Sequence, residues 1–251
     1  MNFDYNKIRD DLRNLGIKKG DDLLIHSSFK SLGNVEGGIQ TLIEAIISLL
    51  GDNGTLLIPS LSYATVNQMQ EPIFDIKKTP SCVGAVTEFF RNYNGVKRSM
   101  HPTHSICVYG YRQYEYISNH FKDNEPVGEN SPLALLPTYN GKVLMLGCST
   151  KYNTSMHGVE EKAKVPYILS SDTRTYTLID ENGNKTTKDY YYHYMTQRGF
   201  GQRYDRLEAL MPFKKGFVLK AECNLIDSKT MWQTGLDILE KDPYFFTEKT
   251  N

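Results

Sequence analysis

His157 and Glu160 stand three residues apart in NTSMHGVEE, residues 153–161, a spacing that puts both on one face of a helix. A carboxylate beside an imidazole holds its tautomer and stabilises its charged form, which is what a general base needs. Thr154 stands where it could cap such a helix. The same spacing also describes a plain surface ion pair. The zinc pattern HxxEH fails, because Glu161 occupies the place of its second histidine. A second polar group lies in RSMHPTHSICVYG, residues 98–110, where His101, His104 and Ser105 precede an apolar run. Polar side chains at a strand end of an α/β protein line its ligand crevice. Pro102 disfavours a helix carrying both histidines, and no third ligand is near, so no metal is expected. The alternative is a loop histidine satisfied by backbone groups. The third group is HSSFKSLG, residues 26–33. A turn from strand to helix can gather phosphate oxygens on backbone N–H groups and small hydroxyls, although serine-rich turns also simply cap helices. Neither a Walker pattern nor GxGxxG is present.

The elements that must position these groups alternate. Ile8, Leu12 and Leu15 fall at helical spacing, and DDLLIH (residues 21–26) is a short apolar run, hence a buried strand. Residues 36–50 carry Ile39, Leu42, Ile43, Ile46, Ile47 and Leu50 as one stripe, then the turn GDNGT leads to the strand TLLIP. Residues 83–92 read as a helix, ICVYG as a strand, residues 113–120 as a helix and KVLMLG as a buried strand. A helix is expected from residue 155 to 164, and RTYTLID and KTTKDYYYHY flank Asn182-Gly183 as a hairpin expected to join the sheet. Short helices around residues 205–211, a strand at GFVLKAE and a helix over residues 227–240 complete the chain. The expectation is an α/β fold: one domain, residues 1–251, with a mixed, mainly parallel central sheet flanked by helices and a C-terminal antiparallel hairpin.

Lys plus Arg and Asp plus Glu both number 29, so no overall field favours nucleic acid or an anionic membrane surface. The opening MNFDYNKIRDDLRNLG lacks the apolar stretch of a signal peptide, and no later run is long enough to span a membrane. Cys82, Cys107, Cys148 and Cys223 are far apart and unpaired in spacing, which fits reduced thiols in a cytoplasmic protein.

The order and spacing of the three polar segments resemble the aminoglycoside 3-N-acetyltransferase family, whose fold differs from that of the GNAT acetyltransferases. EPIFDIKKTPSCVGAVTEFFR (71–91), VGENSPLALL (127–136), GKVLMLGCS (141–149) and AKVPY (163–167) look like further parts of it. The likeness covers roughly residues 20–167 and fades beyond Tyr167, so YYYHYMTQRGFGQRYD (190–205) stays unassigned. The resemblance implies acetyl-CoA as donor, no metal, and a small-molecule amine on an amino sugar as acceptor, in a monomer or homodimer. Acetyl would pass directly within a ternary complex. It places CoA along His26, Ser27, Ser28, Lys30, Ser31, Leu32 and Gly33 and the strand after Ser105, with SPLALL closing part of the groove. His157, oriented by Glu160, becomes the base, and backbone N–H groups with a hydroxyl such as Thr154 could serve the oxyanion. Asp75 resembles an acidic substrate-pocket position that would join Glu160 in holding the ammonium, and equally suits a turn. Zero net charge leans toward a biosynthetic amino-sugar acetyltransferase. A Rossmann-like methyltransferase is suggested by LLGDNGTLLIP (49–59) but lacks the glycine-rich loop, and a silent amine-binding protein would not need His157 and Glu160.

Overall fold

The computed structural model describes residues 3–250. Helix α1 (Phe3–Leu15) leads to strand β1 (Asp22–Ser27), a 3-10 turn (Phe29–Leu32), α2 (Gly38–Leu50) and β2 (Thr55–Pro59). Then come α3 (Tyr63–Val66), β3 (Ile73–Asp75), α4 (Ala85–Arg91), β4 (Lys97–Arg98), β5 (Ile106–Gly110), α5 (Gln113–Ile117), α6 (Pro132–Leu135) and β6 (Lys142–Leu146). The last part holds α7 (Ser155–Lys162), β7 (Arg174–Ile179), β8 (Lys185–Tyr190), β9 (Phe200–Gln202), a 3-10 turn (Tyr204–Ala209), β10 (Lys214–Val218), β11 (Ala221–Asp227), α8 (Ser228–Lys241) and β12 (Thr247–Lys249).

Seven strands form a mixed sheet in the order β10-β11-β6-β1-β2-β5-β4. Its centre is parallel, with β1 pairing β2 and β6, and the flanking strands are antiparallel. Both faces are covered, which is why these strands read as unbroken apolar runs. Successive side chains point to opposite faces. Leu23, Ile25, Leu56, Ile58, Leu144 and Leu146 pack with α1, α2 and α4. Leu24, Leu57, Val143 and Met145 pack on the other face with α7 and α8. The second face carries the histidines.

Two expectations are corrected. The residue 174–190 hairpin forms, its turn held by Asp180 Oδ1 accepting from the N–H groups of Asn182 (2.9 Å) and Asn184 (2.8 Å). It does not join the central sheet: β7 and β8 pair with β3 in a separate sheet. Only one side of the ribbon is apolar, with Tyr176, Leu178 and Tyr190 buried against Phe74, so it covers a small core of its own and could not be buried on both faces. GFVLKAE is not one strand but the bend between β10 and β11, with Val218 opposite Ala221. Leu219 takes φ 50°, a conformation that normally selects glycine or asparagine. Its N–H donates to Asp11 of α1 at 3.0 Å, a tertiary bond that local patterning does not reveal. Among the described residues no helix is long and apolar enough to cross a membrane.

Candidate active site

Helix α7 begins beyond β6, at the end of the parallel centre of the sheet, where side chains from neighbouring strands converge. Thr154 holds the N-cap position, yet its side chain caps nothing. Asn153 Oδ1 instead accepts the Ser155 N–H at 3.2 Å, leaving the buried Thr154 hydroxyl without a partner. Gly158 lets α7 lie close against α8. A Cβ there would stand 2.7 Å from both Trp232 and Val127. We expect Gly158→Ala to destabilise the protein by about 1–2 kcal/mol, because overpacking against two rigid neighbours outweighs the roughly 1 kcal/mol gain in helix propensity. A lower melting temperature with a proportionate loss of activity would bear this out, and an unchanged melting temperature would contradict it.

His157 and Glu160 share a face of α7, but their direct contact, Nδ1 to Oε2, is 3.4 Å. The shorter route runs through Tyr204. Its hydroxyl is 2.7 Å from His157 Nδ1 and donates to Glu160 Oε2 at 2.6 Å. Tyr167 donates to the other carboxylate oxygen at 2.7 Å. Glu160 is fully buried, so these two hydroxyls replace the water it has lost. A tyrosine hydroxyl has one proton. With that proton on Glu160, His157 Nδ1–H donates to Tyr204, and Nε2 is the lone pair left to act as a base. Burial, then the charge of Glu160, raises Tyr204 well above the usual phenol range, so it stays protonated.

His157 lines a cleft of about 620 Å³ together with His26, Ser27, Thr103, His104, Cys148, Thr154 and His193. Four of the six histidines, His26, His104, His157 and His193, line it, and His101 and His120 follow behind His104. The His193 ring lies 4.5 Å from the rings of both His157 and His104. His101 stands between His104 at 6.1 Å and His120 at 5.0 Å, and His26 feels the charge of His157. Burial, followed by neighbouring imidazoles, holds His101, His104 and His193 well below the ordinary histidine range. Burial lowers His26 to about 4 and His120 to about 3. Among the described residues no group of His, Cys, Asp or Glu is arranged to hold a metal ion.

The remaining expected positions divide. His26 and Ser27, at the end of β1, reach the cleft, whereas Ser28, Lys30, Ser31, Leu32 and Gly33 do not line it. Ser31 Oγ donates to the Ser28 carbonyl at 2.6 Å, Leu32 is in the core, and α2 starts only at Gly38, so that helix does not open directly from the turn. Ser105 is fully buried, donating to the Ser60 carbonyl and accepting from Arg98, both at 2.8 Å. Asp75 is a turn residue whose Oδ1 accepts the Lys77 and Lys78 N–H groups at 2.9 and 3.1 Å, and it does not line the cleft. Sequence reasoning missed residues 190–205 altogether. That stretch contributes Tyr192, His193, Met195, Thr196, Gln197 and Gln202 to the cleft and Tyr204 to His157. Its only signal is an aromatic-rich composition without periodicity.

The family profile described as "Aminoglycoside 3-N-acetyltransferase" matches residues 24–240. Aminoglycoside N(3)-acetyltransferase IV of Salmonella sp is 34% identical over 239 residues, covering 94% of this chain and 87% of that protein. The SPbeta prophage-derived aminoglycoside N(3')-acetyltransferase-like protein YokD of Bacillus subtilis (strain 168) is 30% identical over 237 residues, covering 87% and 85%. A mutant of aminoglycoside acetyltransferase AAC(3)-IVa, crystallised in complex with a gentamicin, superposes with TM-score 0.81 at 31% identity over 96% of this chain and 90% of that one. The complex of such a mutant with apramycin gives 0.75 at 31% identity over 95% and 93%.

Proposed function

We propose, from the premise that this chain belongs to the aminoglycoside 3-N-acetyltransferase family, that it transfers acetyl from acetyl-CoA to an amine of an aminoglycoside or related amino sugar in the cytoplasm. The observation that carries this reading is the buried Glu160–Tyr204–His157 chain opening on a cleft large enough for a sugar amine and a thioester. Donor and acceptor bind together, and the amine nitrogen attacks the acetyl carbonyl directly. His157 Nε2 takes a proton from the attacking nitrogen and returns it to the departing CoA sulfur. The Thr154 hydroxyl, unpartnered and at the cleft, donates to the developing oxyanion. CoA lies along the turn after β1, with its thioester toward His26 and Ser27.

Cys148 is the lining thiol, and burial pushes it up to about 12, which keeps it from acting as a nucleophile near neutral pH. No acetyl-enzyme is therefore expected. The test is thiol release from acetyl-CoA with gentamicin, apramycin and simple amino sugars as acceptors, alongside mass spectrometry of protein exposed to acetyl-CoA alone. Thiol release that depends on the acceptor, with the protein mass unchanged, is the expected result. Silence with every acceptor would remove the activity, and a kinetically competent acetyl-protein would remove the direct-transfer mechanism.

A further inference from the structure

Acetylating a bound ammonium releases two protons. The acceptor enters as R–NH3+ and leaves as R–NH–CO–CH3. The nitrogen lone pair forms the new N–C bond, and the C–S bond breaks with its electron pair staying on sulfur. One proton completes CoA-SH and the other must reach solvent. A single base can hold only one of the two at a time.

The cleft contains a second imidazole held by a carboxylate. Glu161 follows Glu160 on α7, and successive helix positions diverge by about 100°, so the two carboxylates seize different partners. Glu161 Oε1 is 2.6 Å from His193 Nε2. His193 and His157 line the same cleft with their rings 4.5 Å apart. With Nε2 engaged by Glu161, Nδ1 is the nitrogen left for a ligand. Glu161 also accepts the Val127 N–H at 3.1 and 3.0 Å and reaches a separate cleft of about 970 Å³, beside Asp123 and Glu125. It stands between the reaction cleft and a second opening.

We propose that His193, held by Glu161, is a second base of the site: it takes the first proton from the bound ammonium, and His157 takes the second as nitrogen attacks. This rests on the acetyltransferase reading above. When Nδ1 of His193 gains a proton, its Nε2 proton passes to Glu161 and leaves through the second cleft. The sulfur receives the other from His157. Burial favours the first step, because a carboxylate with a neutral imidazole carries one negative charge and the protonated pair carries none. Several groups face the pair. Burial first, then His157 and His101, lowers His193, against which the ring of His104 also packs, and burial first, then Glu125, Glu160 and Asp123, raises Glu161, as Tyr204 packs nearby. The imidazoles weaken His193 as an isolated cation, while the carboxylates strengthen Glu161 as the final proton holder.

The test is the pH dependence of kcat/KM for His193→Gln, with gentamicin, apramycin and glucosamine as acceptors. Without His193 only the free amine is productive. For an amine of pKa near 8 this costs about tenfold at pH 7, and the defect closes as pH rises toward 9. Glu161→Gln, which leaves the ring in place, is expected to show the same closing defect and decides the question should His193→Gln not fold. A defect of equal size at every pH would mean that His193 merely ties residues 190–197 to α7, and it would overturn the proposal, as would the absence of any defect. A parent protein active on these amines with no such pH signature sinks the second base alone. A parent inactive on all of them sinks the acetyltransferase reading and this proposal with it.

Discussion

His157→Ala is expected to lower turnover by about two to four powers of ten while acetyl-CoA binding, followed by calorimetry, stays near that of the parent. The loss should persist at high pH, because a neutral amine still sheds a proton as its bond to carbon forms. The structure grades the supporting residues. Tyr204→Phe removes the hydroxyl that is 2.7 Å from His157 and 2.6 Å from Glu160, leaving only the 3.4 Å direct contact, so a smaller loss is expected, without a change in acetyl-CoA affinity. Glu160→Gln keeps the size and some hydrogen bonding but removes the charge that supports imidazolium, and should fall between the two. A plain ion pair would give modest shifts in melting temperature and unchanged turnover per folded molecule. Near-parental turnover in folded His157→Ala would take His157 out of the reaction.

The second large effect is on stability at mild acidity. Five of the six histidines are held below their ordinary value of 6.5, chiefly by burial. Each is neutral when folded and gains a proton on unfolding below pH 6.5. The stability they support is therefore complete above pH 6.5, drains as pH falls, and is gone once pH passes their folded values, about 3 for His120. Glu161, raised well above 4.5, and Asp22 and Asp123, also raised by burial, work in the opposite sense, but they are three carboxyls against five imidazoles. If two to four extra protons bind the unfolded chain near pH 5.5, stability falls on the order of 3–5 kcal/mol per pH unit. That is a large share of the 5–15 kcal/mol typical of a domain, and corresponds to about 10 °C in melting temperature. Melting curves from pH 8 to 5 measure it directly. A flat profile between pH 7 and 5.5 would show that the cluster is already protonated or hydrated.

The alternating helices and strands, the apolar runs and the His157–Glu160 pair were legible in the sequence because each is a local pattern. A 3.6-residue or two-residue period depends only on which face a side chain takes, and two residues three apart on a helix meet regardless of what surrounds it. The multi-residue motifs up to Tyr167 carried the family as well. Tertiary structure alone decided the rest. The β7–β8 ribbon has a hairpin sequence wherever it packs, and only its contact with Phe74 sets it in a separate sheet. Leu219 bends the β10–β11 hairpin because Asp11, 208 residues away, holds its N–H. Asp75 and Ser105 suited a site by type, yet backbone groups and Arg98 take up their polar atoms. Tyr204 and His193 lie 47 and 32 residues beyond their partners His157 and Glu161, in a segment without periodicity. Chain crossings over such distances leave no trace in local spacing, so the partners of His157 and Glu161 emerge only when the chain folds back over α7.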